Sequence, residues 1–199
     1  MYKLGITGGI GSGKSTATLF FKNNNTYIFD ADTEAKKHLQ NSIALQHKIS
    51  NAFGADLKTK SGSINLKELG KRAFKNKTEQ SILNGIMWPE IYMLIEKKIG
   101  ELKNTYTLFI VDAALIFEAN LQNLFDSILL ITADKNIRVE RSSKRLNLSR
   151  TQINDRSNLQ MDEINKIKLA NYTIKNNNTI KELNHNLTIF YQSIILPKL

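Results

Sequence analysis

Residues Gly8-Gly9-Ile10-Gly11-Ser12-Gly13-Lys14-Ser15 fit the pattern GxxxxGK[ST], and Thr16 follows them. An apolar run over 2–7 precedes the pattern, and a stretch of helical character over 15–22 follows it. In that setting the pattern predicts a loop that wraps a phosphate between a strand and a helix. Glycines admit positive φ and close backbone approach, so successive N–H groups can ring an anion. The helix start adds free donors and partial positive charge. Lys14 is placed to reach the β- and γ-phosphates. The Ser15 hydroxyl suits Mg²⁺, a hard cation that keeps waters around it. The residues expected to hold the nucleotide are therefore Gly11, Ser12, Gly13, Lys14, Ser15 and Thr16.

This P-loop implies a nucleoside triphosphate and leaves the phosphoryl acceptor open. GTPases, ATP-driven motors and small-molecule kinases all share it. A chain of 199 residues is short for a motor. No NKxD-type guanine-reading motif follows a late strand, which weighs against a GTPase. A small kinase is the leading class.

Strands are predicted over 2–7, 26–30, 106–111, 126–132 and 171–174, the run Leu108-Phe109-Ile110-Val111 being apolar throughout, as buried parallel strands are. Helical patterns lie between them. They cover 15–22, 34–53 with a break, and 66–102 with interruptions at Asn84-Gly85 and Trp88-Pro89. A helical pair follows over 137–146 and 150–159, around Asn147-Leu148-Ser149. Ile180, Leu183, Leu187, Phe190 and Ile194 form a core-facing helical stripe near the C-terminus. Strands alternating with helices predict an α/β, P-loop NTPase-type three-layer fold with a five-stranded parallel sheet. We expect a single kinase domain over 1–199, with a helical acceptor-binding insert at about 60–105 and an arginine-rich lid at about 137–160.

Composition narrows the partners. Without cysteine, disulfide and thiolate chemistry are excluded. His38, His47 and His185 show no metal-ligand spacing. No run of about 18 apolar residues suggests a membrane span. The first residues lack the ordered sections of a signal peptide, so a cytoplasmic protein without a membrane partner is expected. The net charge of +10 attracts anions. Lysines are spread along the chain rather than gathered in an aromatic-lined stripe, so nucleic acid is not the expected partner. Five of the six arginines fall between Arg138 and Arg156. Arginine grips phosphate bidentately where lysine cannot. Arg138, Arg141 and Arg145 share a helix face at i, i+3, i+7, which suits a lid that closes over a transferring phosphoryl group.

Asp30 and Asp32 stand at the end of the second predicted strand. Ligands of open parallel sheets bind beyond the carboxyl ends of strands, so this pair and the P-loop are expected to face one crevice. A kinase needs a carboxylate to orient the attacking hydroxyl and take its proton. Either Asp could instead cap the following helix, Asp30 the more readily. Asp112, ending the third strand, is read as structural or as part of a metal shell.

Taken together, these motifs resemble the dephospho-coenzyme A kinase family. The resemblance rests on Gly5 to Thr16, Asp30-Ala31-Asp32, Phe53-Gly54, Gly62-Ser63-Ile64-Asn65 and Leu115-Ile116-Phe117-Glu118. It continues through Arg141, Arg145, Arg156 and Gln160 to Ala170-Asn171 and Ile174-Lys175-Asn176, nearly the whole chain. The chain departs from the family pattern at Ala114 (usually proline), Trp88 (histidine), Leu66 (commonly arginine), Asn171 (aspartate) and Asn178 (near a glycine). The resemblance implies ATP-dependent, Mg²⁺-assisted phosphorylation of the ribose 3′-hydroxyl of dephospho-coenzyme A, the last step of coenzyme A biosynthesis. It implies Asp32 as base, Lys14, Arg141 and Arg145 on the transferring phosphoryl, and Asn176 against adenine. Glu118 and the insert would help to seat the acceptor. A monomer or weak homo-oligomer is expected. Kinases of nucleotides, shikimate or sugar acids are the nearest alternatives. A nucleotide-dependent nucleic-acid regulator would need its arginines in an outer stripe.

Overall fold

The computed structural model describes residues 1–23, 25–59, 62–146 and 149–199. Five strands and nine α-helices occur among them: β1 (Tyr2–Thr7), α1 (Lys14–Phe20), β2 (Thr26–Asp30), α2 (Ala31–Asn41), α3 (Ile43–Phe53), α4 (Leu66–Ala73), α5 (Lys77–Leu102), β3 (Leu108–Asp112), β4 (Ser127–Thr132), α6 (Lys135–Leu146), α7 (Arg150–Asn158), α8 (Glu163–Leu169), β5 (Tyr172–Lys175) and α9 (Ile180–Phe190). They divide into two compact units, 1–29 with 96–199, and 30–95.

The first unit is built on a parallel sheet of order β2-β3-β1-β4-β5. Ile6 pairs with Asp112, Thr7 with Leu130, and Thr132 with Lys175, so the carboxyl ends of β1, β3, β4 and β5 share one edge. The apolar runs of β3 and β4 are buried along their whole length, as a sheet covered on both faces requires. Ala17 and Phe21 at α1, and Leu183, Leu187 and Phe190 of α9, join Leu4, Ile6, Ile110 and Leu129 in one core. The predicted stripe of α9 holds at Leu183, Leu187 and Phe190, with Ile194 packed partly against it. It fails at Ile180, which is exposed because it is the first residue after the Thr179 N-cap, off the end of the packed face.

The 30–95 unit is helical. Leu39, Leu45, Ile49, Phe53, Leu57, Leu69 and Met87 form its core. The break expected within 34–53 is Ser42, whose hydroxyl accepts the Leu45 N–H and starts α3. The interruptions expected at Asn84-Gly85 and Trp88-Pro89 do not occur: α5 runs through both. Pro89 lacks the N–H that would bond the Gly85 carbonyl, and its ring crowds that carbonyl. Position 85 has no Cβ and open space around it, so the backbone there can yield. The break falls instead at 74–76. Between α6 and α7, Asn147 and Leu148 of the expected turn lie outside the described residues, as does position 60 at the edge of the expected insert. Ser149 caps α7 in a reciprocal box with Gln152. Helix α8 falls where no element is predicted; its Ile164 and Ile167, three apart, are exposed, and the residue it buries is Lys166.

Candidate active site

The glycine-rich loop leaves β1 at Thr7 and enters α1 at Lys14. Gly11 (φ +79°) and Gly13 (φ +95°) are left-handed, a conformation L side chains rarely adopt. A Cβ at Gly11 would also run into the Arg138 carbonyl and the Ser142 hydroxyl, and one at Gly13 into the Asn176 amide. Gly13 caps α1 without a side chain, so no capping group competes for the donors at that end. The Ser12 N–H donates to the Gly9 carbonyl at 3.0 Å, closing the loop on itself.

The Lys14 ammonium forms an ion pair with the Asp112 carboxylate, with the two side chains 15% and 10% exposed. The motif lysine is therefore held at the carboxyl end of β3, its charge offset by Asp112. Ser15 and Thr16 are exposed on the first turn of α1. The Ser15 hydroxyl and the Asp112 carboxylate are hard oxygen donors, which fit a cation that shares its coordination with waters and phosphates.

Neighbouring elements brace the loop. Asn176, 7% exposed, donates from Nδ2 to the Ser12 carbonyl at 2.8 Å, and its own N–H donates to the Thr132 carbonyl at 2.7 Å. Arg141 donates from Nη1 to the Asn176 carbonyl at 2.7 Å and from Nη2 to the Asn178 carbonyl at 3.2 Å. The Ile10 N–H donates to Gln160 Oε1 at 3.3 Å. The Arg138 guanidinium lies where a Cβ on Gly9 would project. It donates to the Ala133 carbonyl at 3.0 Å and pairs with Glu163 at 3.2 Å.

The structure thus links Ser12, Gly13, Asn176 and Arg141, all residues singled out by the sequence. Arg145 is exposed on α6. Asp30 is the N-cap of α2, accepting the Thr33 N–H at 3.0 Å and hydroxyl at 2.8 Å. Asp32 is exposed on the first turn of the same helix. Glu118, expected at the acceptor, accepts the Met161 N–H at 2.8 Å and pairs with Lys166 at 2.9 Å. Arg138 was read only as one lid arginine among several, and Lys166 was missed. A lone lysine in a lysine-rich stretch carries no signal of burial.

Residues 2–182 match the family model described as dephospho-CoA kinase. The chain belongs to the dephospho-CoA kinase family. A dephospho-CoA kinase of Carboxydothermus hydrogenoformans is 33% identical over 190 residues, covering 95% of this chain and 92% of the relative. One of Lactobacillus acidophilus is also 33% identical, covering 94% of each chain. Among solved structures, the dephospho-CoA kinase from Campylobacter jejuni superimposes with a TM-score of 0.72 at 28% identity, over 99% of this chain and 98% of that one. A shikimate kinase from Acinetobacter baumannii reaches a TM-score of 0.55 at 15% identity, over 98% of this chain and 96% of that one, a likeness of fold alone. The architecture here is α/β around a five-stranded parallel sheet, and the likeness to these kinases is a likeness of that fold. Among the described residues no helix is long and apolar enough to cross a membrane.

Proposed function

We propose that this member of the dephospho-CoA kinase family transfers the γ-phosphoryl group of ATP to the ribose 3′-hydroxyl of dephospho-CoA. The products are CoA and ADP, and the place of action is the cytoplasm. The observation that carries the reading is the loop itself. Left-handed Gly11 and Gly13, with Lys14 at the start of α1, form a phosphate cradle within a chain matched to the family over 2–182.

The backbone of Gly11 to Thr16 holds the ATP phosphates. Lys14 moves from Asp112 toward the β/γ oxygens and offsets the charge that develops there. The Ser15 hydroxyl, with Asp112 nearby in the same unit, supplies oxygen ligands for Mg²⁺. When bound, that ion neutralises phosphate charge. Asp30 is engaged as a helix cap, which leaves Asp32 to orient the 3′-hydroxyl and take its proton. The hydroxyl oxygen forms the new bond to the γ-phosphorus while the bond to the β–γ bridging oxygen breaks. Arg141 and Arg145, from the lid at about 137–160, act on the transferring phosphoryl. Asn176 approaches the adenine side, and the helical insert at about 60–105 seats the acceptor. The enzyme works as a monomer or weak homo-oligomer, with no nucleic-acid or membrane partner.

The test is ADP release with ATP, Mg²⁺ and dephospho-CoA, run beside a 3′-deoxy acceptor and a no-acceptor control. Release that requires the 3′-hydroxyl supports the proposal. Equal release with the 3′-deoxy acceptor, or none with dephospho-CoA, overturns it.

A further inference from the structure

Lys166 is a charged residue that the proposed chemistry does not use, yet it is 2% exposed. It lies on α8, and its ammonium reaches two oxygens, Glu118 Oε1 and the Ala114 carbonyl, both at 2.9 Å. Each of those oxygens serves a second donor. Glu118 Oε1 also accepts the Met161 N–H at 2.8 Å. The Ala114 carbonyl also accepts the hydroxyl of Thr7, the last residue of β1 before the phosphate loop, at 3.3 Å. One buried ammonium thus joins the entry to the phosphate loop, the segment after β3, and the stretch between α7 and α8.

That stretch reaches the phosphate loop. Gln160, beside Met161, receives the Ile10 N–H, and Glu163 holds the Arg138 guanidinium against Gly9. A buried ion pair is weak support for stability, because desolvating both charges cancels much of their attraction. Here Glu118 Oε2 is also buried with no hydrogen-bond partner, a further cost that an apolar pair would avoid. What an apolar pair could not do is fix a backbone carbonyl, a backbone N–H and a carboxylate in one arrangement.

We propose that Glu118 and Lys166 are positioning residues for phosphoryl transfer. They hold residues 160–163 so that Gln160 and Glu163 set the outer wall of the phosphate loop. The proposal rests on the kinase reading above and assigns Glu118 to the loop's support instead of to the acceptor.

The test compares wild type, Lys166→Met, and the double variant Glu118→Gln with Lys166→Met. The single variant strands a buried carboxylate and can simply unfold. The double variant leaves no unpaired buried charge and keeps an acceptor for the Met161 N–H, so it is expected to melt close to wild type, while the Lys166 tie that joins residue 118 to the Ala114 carbonyl and fixes the pair in place is removed. Its kcat, per folded enzyme, is expected to fall at least about tenfold, in line with a sub-ångström to ångström misplacement of reacting groups. KM for dephospho-CoA should stay within about twofold of wild type, since on this reading neither residue touches the acceptor. Hydrogen exchange of a peptide spanning 8–13, measured without substrates, should quicken. A stable double variant with wild-type kcat overturns the proposal, and so does a fall in kcat with unchanged loop exchange. Should the wild type leave dephospho-CoA unphosphorylated, the kinase reading fails, and loop exchange alone then decides the positioning role.

Discussion

Both units carry exposed ion pairs between near neighbours, Lys98–Glu101 and Lys144–Glu140 in the one and Lys71–Glu68 in the other, but their sheltered pairs between distant segments differ. In the unit that carries the phosphate loop, Lys14–Asp112, Arg138–Glu163 and Lys166–Glu118 join segments far apart in sequence, with side chains mostly sheltered from water. In the 30–95 unit, Lys37–Glu34, Lys71–Glu68 and Arg72–Glu68 link residues three or four apart on single helices, and Arg72–Asp56 is exposed. Exposed pairs of that kind contribute little to stability, being screened and entropically costly. Sheltered pairs between distant segments fix geometry, because each charge must find its partner or carry an uncompensated desolvation cost. The unit with the phosphate loop thus sets three sheltered pairs around that loop, beside exposed pairs of the kind both units carry.

The sharpest test of this contrast is Lys14→Ala. It removes the cation on the phosphates and leaves Asp112 buried without it, so kcat should fall by about 10³-fold or more in steady-state assays. A loss below about tenfold would mean that the pair with Asp112 is Lys14's main role. Asp32→Asn is next, and it is the variant that could break the contrast. It lies in the 30–95 unit, on an exposed helix start, yet a general base should contribute about 10²- to 10⁴-fold to kcat with little change in KM for ATP. Near-normal turnover would remove the base assignment and leave that unit without a catalytic charge. Gly11→Ala should act more on binding: its Cβ meets the Arg138 carbonyl at a φ of +79°. Isothermal titration should show ATP affinity reduced by about tenfold or more, from the displaced loop donors.

Some of these contrasts were legible in the chain, and the reasons are physical. The phosphate loop and the strands were readable because a left-handed glycine or a fully buried apolar strand constrains residues next to one another. Helix α5 was misread because Gly85 and Pro89 are each helix breakers alone, whereas at i and i+4 the glycine yields to the proline ring. Helix α8 was invisible because the residue it buries most deeply is Lys166, while Ile164, Ile167 and Leu169 face outward. The i, i+3, i+7 arginine spacing correctly placed three side chains on one helix, but spacing defines a face and not a target. Arg141 meets two backbone carbonyls beyond β5, and Arg138 meets Glu163. The Thr33 hydrogen bonds give the helix cap to Asp30, the aspartate that the sequence offered more readily for that role.

Glu90 sharpens the comparison from the other side, with the smallest expected effect. It is the one sheltered carboxylate among the described ion pairs of the 30–95 unit, and it joins three of that unit's helices. His38 Nε2 of α2 lies 3.0 Å from Glu90 Oε2, and Lys48 Nζ of α3 lies 3.1 Å from Oε1. The His38 hydrogen bond, ahead of the opposing effect of burial and the further help of Lys48, holds the Glu90 carboxyl below its ordinary value of 4.5. A carboxyl with a depressed folded pKa adds stability that is fully present above its ordinary value and fades as pH falls through the folded value. Glu90→Gln should therefore lower the urea midpoint at pH 7, and the gap from wild type should close as pH falls below about 4.5 toward 3. Turnover per folded enzyme at pH 7 should be unchanged, because no proposed catalytic group contacts this triad. A gap equally wide at both pH values would mean that Glu90 stabilises the unit by packing rather than by charge. A lower kcat would mean that Glu90 bears on turnover as well as on stability.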